Sequence, residues 1–204
     1  MSVLVGRQAP DFTAAAVLGN GEIVDNFNLK EFTKGKAAVV FFYPLDFTFV
    51  CPSELIAFDQ RFDEFQKRGV EVIGVSIDSQ FSHNAWRNTA VENGGIGPVK
   101  YPLIADVKHE ICQAYDVEHP EAGVAFRGSF LIDANGVVRH QVVNDLPLGR
   151  NIDEMLRMID ALQFHEEHGE VCPAQWEKGK AGMKDSPEGV AKYLTEHAGD
   201  LSAK

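Results

Sequence analysis

Cys51 is followed at once by Pro52, and the residues after it carry apolar side chains at helical spacing: Leu55, Ile56, Phe58, Phe62 and Phe65. Proline is favoured in a first helical turn because its missing N–H has no intrahelical partner there. With Pro52 at the first helical position, Cys51 falls at the N-cap and its sulfur faces the free N–H groups of the turn. The partial positive charge at that end favours thiolate over thiol. Cysteines so placed have pKa values of roughly 3.5 to 7.5, against about 8.5 for a free thiol. The expected chemistry is nucleophilic attack by sulfur. Pro44 is placed to shield the loop from solvent, and Thr48 offers a hydroxyl to a bound oxygen or to the thiolate. The competing reading is a small cysteine that simply packs, since free cysteine is commonly buried. The helix start and a second cysteine, Cys172, weigh against it.

Cys172 lies 121 residues downstream, beyond the last strongly periodic helix and directly before Pro173. A sulfenic acid formed on one cysteine condenses with a second thiol to a disulfide, and an arm beyond the core reaches a neighbouring subunit easily. Cys112 sits mid-helix beside Ile111 and near Tyr115, where a packing thiol is expected. His165-Glu166-Glu167-His168 is not an H-E-x-x-H zinc motif and reads as a solvated helix end. Gly94-Gly95-Ile96-Gly97 lacks the G-x-G-x-x-G spacing of a nucleotide loop.

The elements that must position Cys51 follow from pattern. Ala37 to Tyr43 is a continuous apolar run, the mark of a strand covered on both faces. The helix from Pro52 to Arg68 ends at Gly69, which can take the left-handed conformation of a helix stop. Val70 to Ile77 is a second buried-type strand. This β-α-β unit implies a mainly parallel sheet, with the cysteine where α/β folds place ligands. Ser82 is expected to cap a helix carrying Ala85, Trp86 and Thr89, and Tyr101 to Ala105 to form a short strand. Asp106 is expected to cap a helix through Tyr115. Ala125 to Asp133 and Val137 to Val143 read as strands joined at Ala134-Asn135-Gly136. Asn151 with Glu154 resembles a capping box before Ile152, Met155, Leu156, Ile159 and Leu162. After Gly169 the periodicity fades, and Ser186-Pro187 can start a last short helix through Tyr193. The class is α/β with a central mixed sheet flanked by helices. Residues 1–164 are the expected domain, and 165–204 the expected C-terminal arm.

Composition sets the bounds. The 204 residues, 45% hydrophobic and 24% charged, suit a globular protein able to bury a sizeable core. Nineteen basic against thirty acidic residues give a net charge of −11, which opposes non-specific nucleic-acid binding. No apolar run approaches the roughly 20 residues that span a bilayer. Met1 to Pro10 holds one arginine and no long apolar stretch, unlike a signal peptide. Three cysteines are too few for a disulfide scaffold, and a reducing cytoplasm is expected.

Pro44, Thr48 and Cys51 match the P-x-x-x-T-x-x-C motif of peroxiredoxins. The longer run from Phe42 to Pro52 resembles the typical two-cysteine group, that of the AhpC-type alkyl hydroperoxide reductases. Ala9-Pro10-Asp11-Phe12, Ser82-His83-Asn84-Ala85-Trp86 and Gly169-Glu170-Val171-Cys172-Pro173 resemble that family's opening, mid-chain and resolving-cysteine motifs. The resemblance implies a thioredoxin-like fold and a thiol peroxidase acting on hydrogen peroxide and organic hydroperoxides, with no bound metal or organic cofactor. Cys51 is then the peroxidatic cysteine and Cys172 the resolving one, joined in a disulfide between two chains. Thr48 and Arg127 match the peroxide-binding hydroxyl and guanidinium, and Glu54 and Arg150 the surrounding hydrogen-bond network. Without the resemblance, Arg127 reads as an exposed strand arginine and Glu54 as a capping-box carboxylate. Trp86 is expected to pack beside the site. Implied partners are thioredoxin or a flavoprotein disulfide reductase, within a homodimer that assembles as a ring of five dimers. Gly94-Gly95-Ile96-Gly97 and Tyr193-Leu194 resemble the loop and tail that slow unwinding in over-oxidation-sensitive relatives, with leucine in place of phenylalanine. A redox-switched holdase is the alternative function, and Thr48 and Arg127 favour the enzyme because a mere switch does not require them. A thioredoxin-type oxidoreductase is disfavoured, for there is no C-x-x-C.

Overall fold

The computed structural model describes residues 3–202; Met1 and Ser2, and Ala203 and Lys204 at the end of the arm, lie outside the described residues. The chain divides into two compact units, Met1–Ile152 and Asp153–Lys204. In the first, strands β1 (Thr13–Val17), β2 (Ile23–Asn28), β3 (Ala37–Phe42), β4 (Val70–Ser76), β5 (Leu103–Ala105), β6 (Arg127–Ile132) and β7 (Val138–Asn144) form one sheet. Its order is β2-β1-β5-β4-β3-β6-β7. β3–β4 and β4–β5 are parallel and the other four pairs antiparallel, so the sheet is mixed, as expected for a thioredoxin-like fold. It is not mainly parallel as the β-α-β unit alone implied, because hairpin-type pairings add antiparallel strands on both sides of that unit. The helices of this unit are α1 (Leu29–Thr33), α2 (Cys51–Gln60), α3 (Phe62–Lys67), α4 (Gln80–Arg87) and α5 (Glu110–Ala114).

The continuous apolar run is the central strand. Every residue from Ala38 to Tyr43 is fully buried, which a strand lying between β4 and β6 and covered on both faces requires. Phe42, Tyr115 and Phe130 pack together on one face. Phe41 stacks on Phe58 of α2 on the other, ring centroids 4.0 Å apart. In α2 the buried residues are Cys51, Glu54, Leu55 and Phe58, one helical face. The apolar residues that dock the helix therefore also aim Cys51 and Glu54 inward.

Several boundaries differ from the sequence expectation. The helix after Cys51 is broken at Arg61 (φ −98°, ψ 2°), and α3 continues from Phe62. The apolar spacing runs through this bridge-region residue, so periodicity alone does not mark it. Gly69 does take the left-handed conformation (φ 68°). The α4 cap is Ser79, whose Oγ accepts the Ser82 N–H at 3.2 Å; Ser82 already lies inside the helix. Asp106 serves α5 from three residues before its left-handed N-cap His109, accepting the N–H groups of Ile111 (3.0 Å) and Cys112 (2.8 Å). The β1–β2 hairpin has no counterpart in the sequence reading. Its strands are largely half-buried or exposed and carry no long apolar run.

The second unit holds most of α6 (Ile152–His168) and all of α7 (Pro187–His197). α7 starts where expected, with Ser186 Oγ accepting the Gly189 N–H, but runs past Tyr193. The segment between them is pinned to α6. Trp176 is buried with its ring 4.9 Å from Phe164, and its carbonyl accepts Arg157 Nη1 at 2.8 Å. Val171 and Met183 pair as an isolated antiparallel bridge. Among the described residues no helix is long and apolar enough to cross a membrane.

Candidate active site

The loop from Pro44 to Val50 leaves the C-terminal end of β3 and delivers Cys51. Val50 is the N-cap and Cys51 the first residue of α2, with Pro52 still in the first turn. This corrects the sequence placement by one residue. Val50 adopts helical backbone geometry and has no side-chain cap, so the turn begins earlier than the proline signal indicates. Cys51 is 1% exposed, and all three cysteines are free thiols.

Arg127 arrives by strand register. Phe41 of β3 pairs with Ser129 of β6, so Arg127 stands just beyond the end of β3, beside the loop. It is buried, unlike the exposed arginine of the plain strand reading. Its Nε donates to Leu146 O (2.7 Å), and its Nη1 to Glu54 Oε2 (2.7 Å) and to Cys51 Sγ (3.4 Å). Glu54, buried one turn after Cys51, accepts three further bonds from Arg150: from its backbone N (2.9 Å), Nε (2.8 Å) and Nη2 (2.8 Å). Arg150 Nη1 reaches Phe42 O (2.8 Å), Gly128 O (2.7 Å) and Ser129 Oγ (3.1 Å). Its guanidinium also lies over Phe41, 5.3 Å from the centroid. Burial alone raises the Glu54 carboxyl, but the hydrogen bonds and charge of Arg150, with Arg127 behind them, hold it below its ordinary value. Glu54 is thus an ionised carboxylate between two guanidinium groups. The three side chains together carry one net positive charge against the Cys51 sulfur.

Thr48 is half-buried, and its hydroxyl donates to Leu45 O at 2.8 Å. With its proton committed there, Oγ1 is left as an acceptor, which narrows the expectation of a donated hydroxyl. Pro44 is buried in the same loop. Trp86 is fully buried beside the loop, its ring 5.8 Å from that of Phe47, and Nε1 donates to Gly94 O at 2.8 Å.

One group of positioning residues escapes sequence reading. Asp46, in the loop, accepts Tyr43 Oη at Oδ1 (2.8 Å), and its Oδ2 meets Ser82 Oγ (3.0 Å) and His83 Nδ1 (2.8 Å). His83 Nε2 meets Ile104 O at 3.1 Å, and a carbonyl only accepts, so Nε2 carries a proton. Asp46 N donates to Asp78 Oδ2 (2.8 Å). Burial and the Asp46 charge push the Tyr43 hydroxyl up, so it stays a donor. This net ties the loop to α4, to β5 and, through Asp78 and the Ser76 hydroxyl that donates to it, to the end of β4. Asp46 and His83 lie 37 residues apart, and only the motifs of the resemblance marked them.

Cys112 is buried, and its Sγ donates to His109 O at 3.3 Å. Burial and the nearby Asp106 carboxylate push its thiol up, as fits a packing residue rather than a nucleophile. Cys172, in the second unit, is half-buried with Sγ donating to Ala161 O at 3.4 Å. Partial burial raises its thiol, and Arg157 works against that. His165 to His168 are exposed at the end of α6.

A family model described as the AhpC/TSA family matches residues 5–141, two thirds of the chain and every residue of the site up to Arg127. The chain belongs to this family. A second model, the C-terminal domain of 1-Cys peroxiredoxin, matches residues 161–196, which include Cys172. Alkyl hydroperoxide reductase C of Buchnera aphidicola (subspecies Schizaphis graminum) is 59% identical over 194 residues, 95% of this chain and 98% of that protein. The protein of the same name from Helicobacter pylori is 58% identical over 196 residues, 96% and 98% respectively. The crystal structure of reduced Plasmodium vivax 2-Cys peroxiredoxin superposes with a TM-score of 0.91 at 48% identity, covering 95% of this chain and 100% of that one. The chain is a peroxiredoxin, a peroxidase with the thioredoxin-like fold. Membership implies a peroxide substrate and a reductase that recycles the enzyme.

Proposed function

We propose that this peroxiredoxin reduces hydrogen peroxide and small organic hydroperoxides at Cys51. The observation that carries the reading is the buried contact of Arg127 Nη1 with Cys51 Sγ at 3.4 Å, backed by the Glu54–Arg150 clamp. The net positive charge of the three side chains is balanced when Cys51 is a thiolate. The thiolate attacks one peroxide oxygen, the O–O bond breaks, and the departing alkoxide or hydroxide takes a proton from water. Sulfur is oxidised to sulfenic acid and the other oxygen leaves as alcohol or water. Arg127 donates to the reacting atoms and Thr48 Oγ1 accepts from the peroxide O–H, while Pro44 closes the loop above them. Glu54 and Arg150 hold Arg127 in place. Preorganised donors of this kind act where charge develops.

The sulfenic acid then condenses with the Cys172 thiol of a neighbouring chain, releasing water and leaving a disulfide. Its reductant is thioredoxin or a flavoprotein disulfide reductase, either of which supplies the dithiol electrons. The working assembly is a homodimer, five of which close into a ring, and the compartment is the cytoplasm. The peroxide chemistry uses sulfur alone, with no metal or organic cofactor. The 1–164 peroxidase domain carries the first step and the 165–204 arm the second. A redox-switched holdase is not favoured, because a switch has no use for a clamp that holds an arginine against the sulfur.

The test is one equivalent of hydrogen peroxide added to fully reduced protein, with mass spectrometry after trapping. Sulfenic acid on Cys51, followed by a Cys51–Cys172 disulfide, is expected; a Cys51→Ser variant that still turns over peroxide with thioredoxin present excludes the assignment.

A further inference from the structure

Away from Cys51, three side chains of different chemistry converge around the start of α5. His109 is the N-cap, Cys112 lies in the helix, and Glu118 follows it in the segment that bridges to Ala125. One imidazole nitrogen, the Cys112 Sγ and one Glu118 carboxylate oxygen lie within 4.8 Å of one another. The His109 and Glu118 side chains are 28% and 25% exposed, whereas Cys112 is buried. Two of the three donors are oriented from behind. Gln113 Nε2 holds Glu118 Oε2 at 2.9 Å and leaves Oε1 toward the cluster. Both oxygens of Asp106 are spent on backbone N–H groups, one of them that of Cys112, which fixes the thiol-bearing residue. Outer partners of this kind are what orient metal ligands.

We propose that His109, Cys112 and Glu118 form a mononuclear zinc(II) site, with a water as fourth ligand. A nitrogen–sulfur–oxygen set suits zinc, while magnesium and calcium prefer oxygen alone. Zn–N and Zn–S bonds of about 2.0 and 2.3 Å put tetrahedral donors about 3.5 Å apart. Donors that lie within 4.8 Å of one another are therefore within about 1.3 Å of a closed site, and the two part-exposed side chains can make that adjustment. Zinc takes the place of the proton that His109 Nδ1 now donates to Glu118 Oε1 across 2.5 Å. The ring proton moves to Nε2. Cys112, a protonated packing thiol while no cation is bound, releases to solvent the proton it now donates to the His109 carbonyl, because the cation's charge stabilises the thiolate. No electron moves. The thiolate and carboxylate together match the charge of a divalent cation. The site uses neither Cys51 nor Cys172 and stands apart from the peroxide chemistry.

The experiment uses full-length protein carrying Cys51→Ser and Cys172→Ser, so that Cys112 is the only thiol, titrated with Co(II) as the optical probe. A thiolate-to-cobalt charge-transfer band that saturates at one equivalent, bleaches with stoichiometric Zn(II) and ignores excess Mg(II) is expected. Adding Cys112→Ala removes the band. His109→Gln and Glu118→Gln, at part-exposed positions outside the core, each weaken Co(II) binding by about tenfold or more, with melting curves reporting that the fold is kept. Absence of the band, its survival in Cys112→Ala, or unchanged affinity in His109→Gln and Glu118→Gln overturns the site.

Discussion

Replacing Arg127 by glutamine removes the cation that touches Cys51 and leaves the rest of the clamp standing. Of the four donors to Glu54, Arg150 supplies three and Arg127 one, so the carboxylate keeps a bidentate partner. The fold should survive with a loss of about 1–3 kcal/mol, the cost of one buried charged hydrogen bond and the unpaired Leu146 carbonyl. The kinetic cost is larger in consequence. A hydrogen bond to a charged partner contributes about 1.5–3 kcal/mol, and each 1.36 kcal/mol in a barrier is about tenfold in rate. Oxidation of Cys51 should therefore slow by about 10- to 150-fold. The assay is stopped-flow mixing of fully reduced protein with hydrogen peroxide, with the second-order constant taken from tryptophan fluorescence. Arg127→Lys should fall between the two, since a single ammonium cannot hold Leu146 O, Glu54 and the sulfur together as a fork does. A rate for Arg127→Gln within about threefold of the parent, less than 1 kcal/mol, in a protein that melts normally would refute the role given to Arg127.

Glu54→Gln should cost about 3–5 kcal/mol at neutral pH, because two buried arginines lose their counter-charge and one amide N–H faces donors. The folded-state carboxyl of Glu54 lies below its ordinary value, so its contribution is full above the unfolded value near 4.3 and fades as pH falls through the folded one. Urea unfolding should then show a shallower acid loss in Glu54→Gln than in the parent below about pH 4.5, and equal slopes would count against the clamp. Mixing Cys51→Ser with Cys172→Ser chains and adding peroxide should give a single-bridged heterodimer on a non-reducing gel. A monomeric oxidised band would mean that the bridge forms within one chain. Deleting the chain from Ser186 onward should lower the yield of Cys51 sulfinic acid at rising peroxide, measured by mass spectrometry during turnover. Tyr193-Leu194 carries less aromatic surface than the Tyr-Phe pair of sensitive relatives, so the effect should be intermediate. Equal yields in the two proteins would remove any role for the tail.

The central strand, the cysteine at a helix start and the hairpin at Asn135-Gly136 were legible in the linear sequence because each depends on neighbours within one or two turns of chain. An unbroken apolar run reports burial on both faces, and a proline after a cysteine reports a helix start to within one residue. Arg127, Glu54 and Arg150 were marked by the resemblance, while residue type and position alone pointed to an exposed strand arginine and a cap. What makes them one site is register: antiparallel pairing of β6 with β3 carries Arg127 past the strand end, and the α2 face carries Glu54 beneath it. The Asp46–His83 tie, marked only by the resemblance, and the His109–Cys112–Glu118 cluster were not readable for the same reason. The Asp106 cap, by contrast, was expected, and only its reach to the N–H groups of Ile111 and Cys112 was set by the fold. In the linear sequence the paired histidines at the end of α6 are the ones that invite a zinc reading, and their spacing does not support it. The fold instead assembles a mixed donor set where a short helix and a bridge segment meet. A polar side chain's partner is chosen by which loops the packed sheet brings together, and no local period encodes that choice.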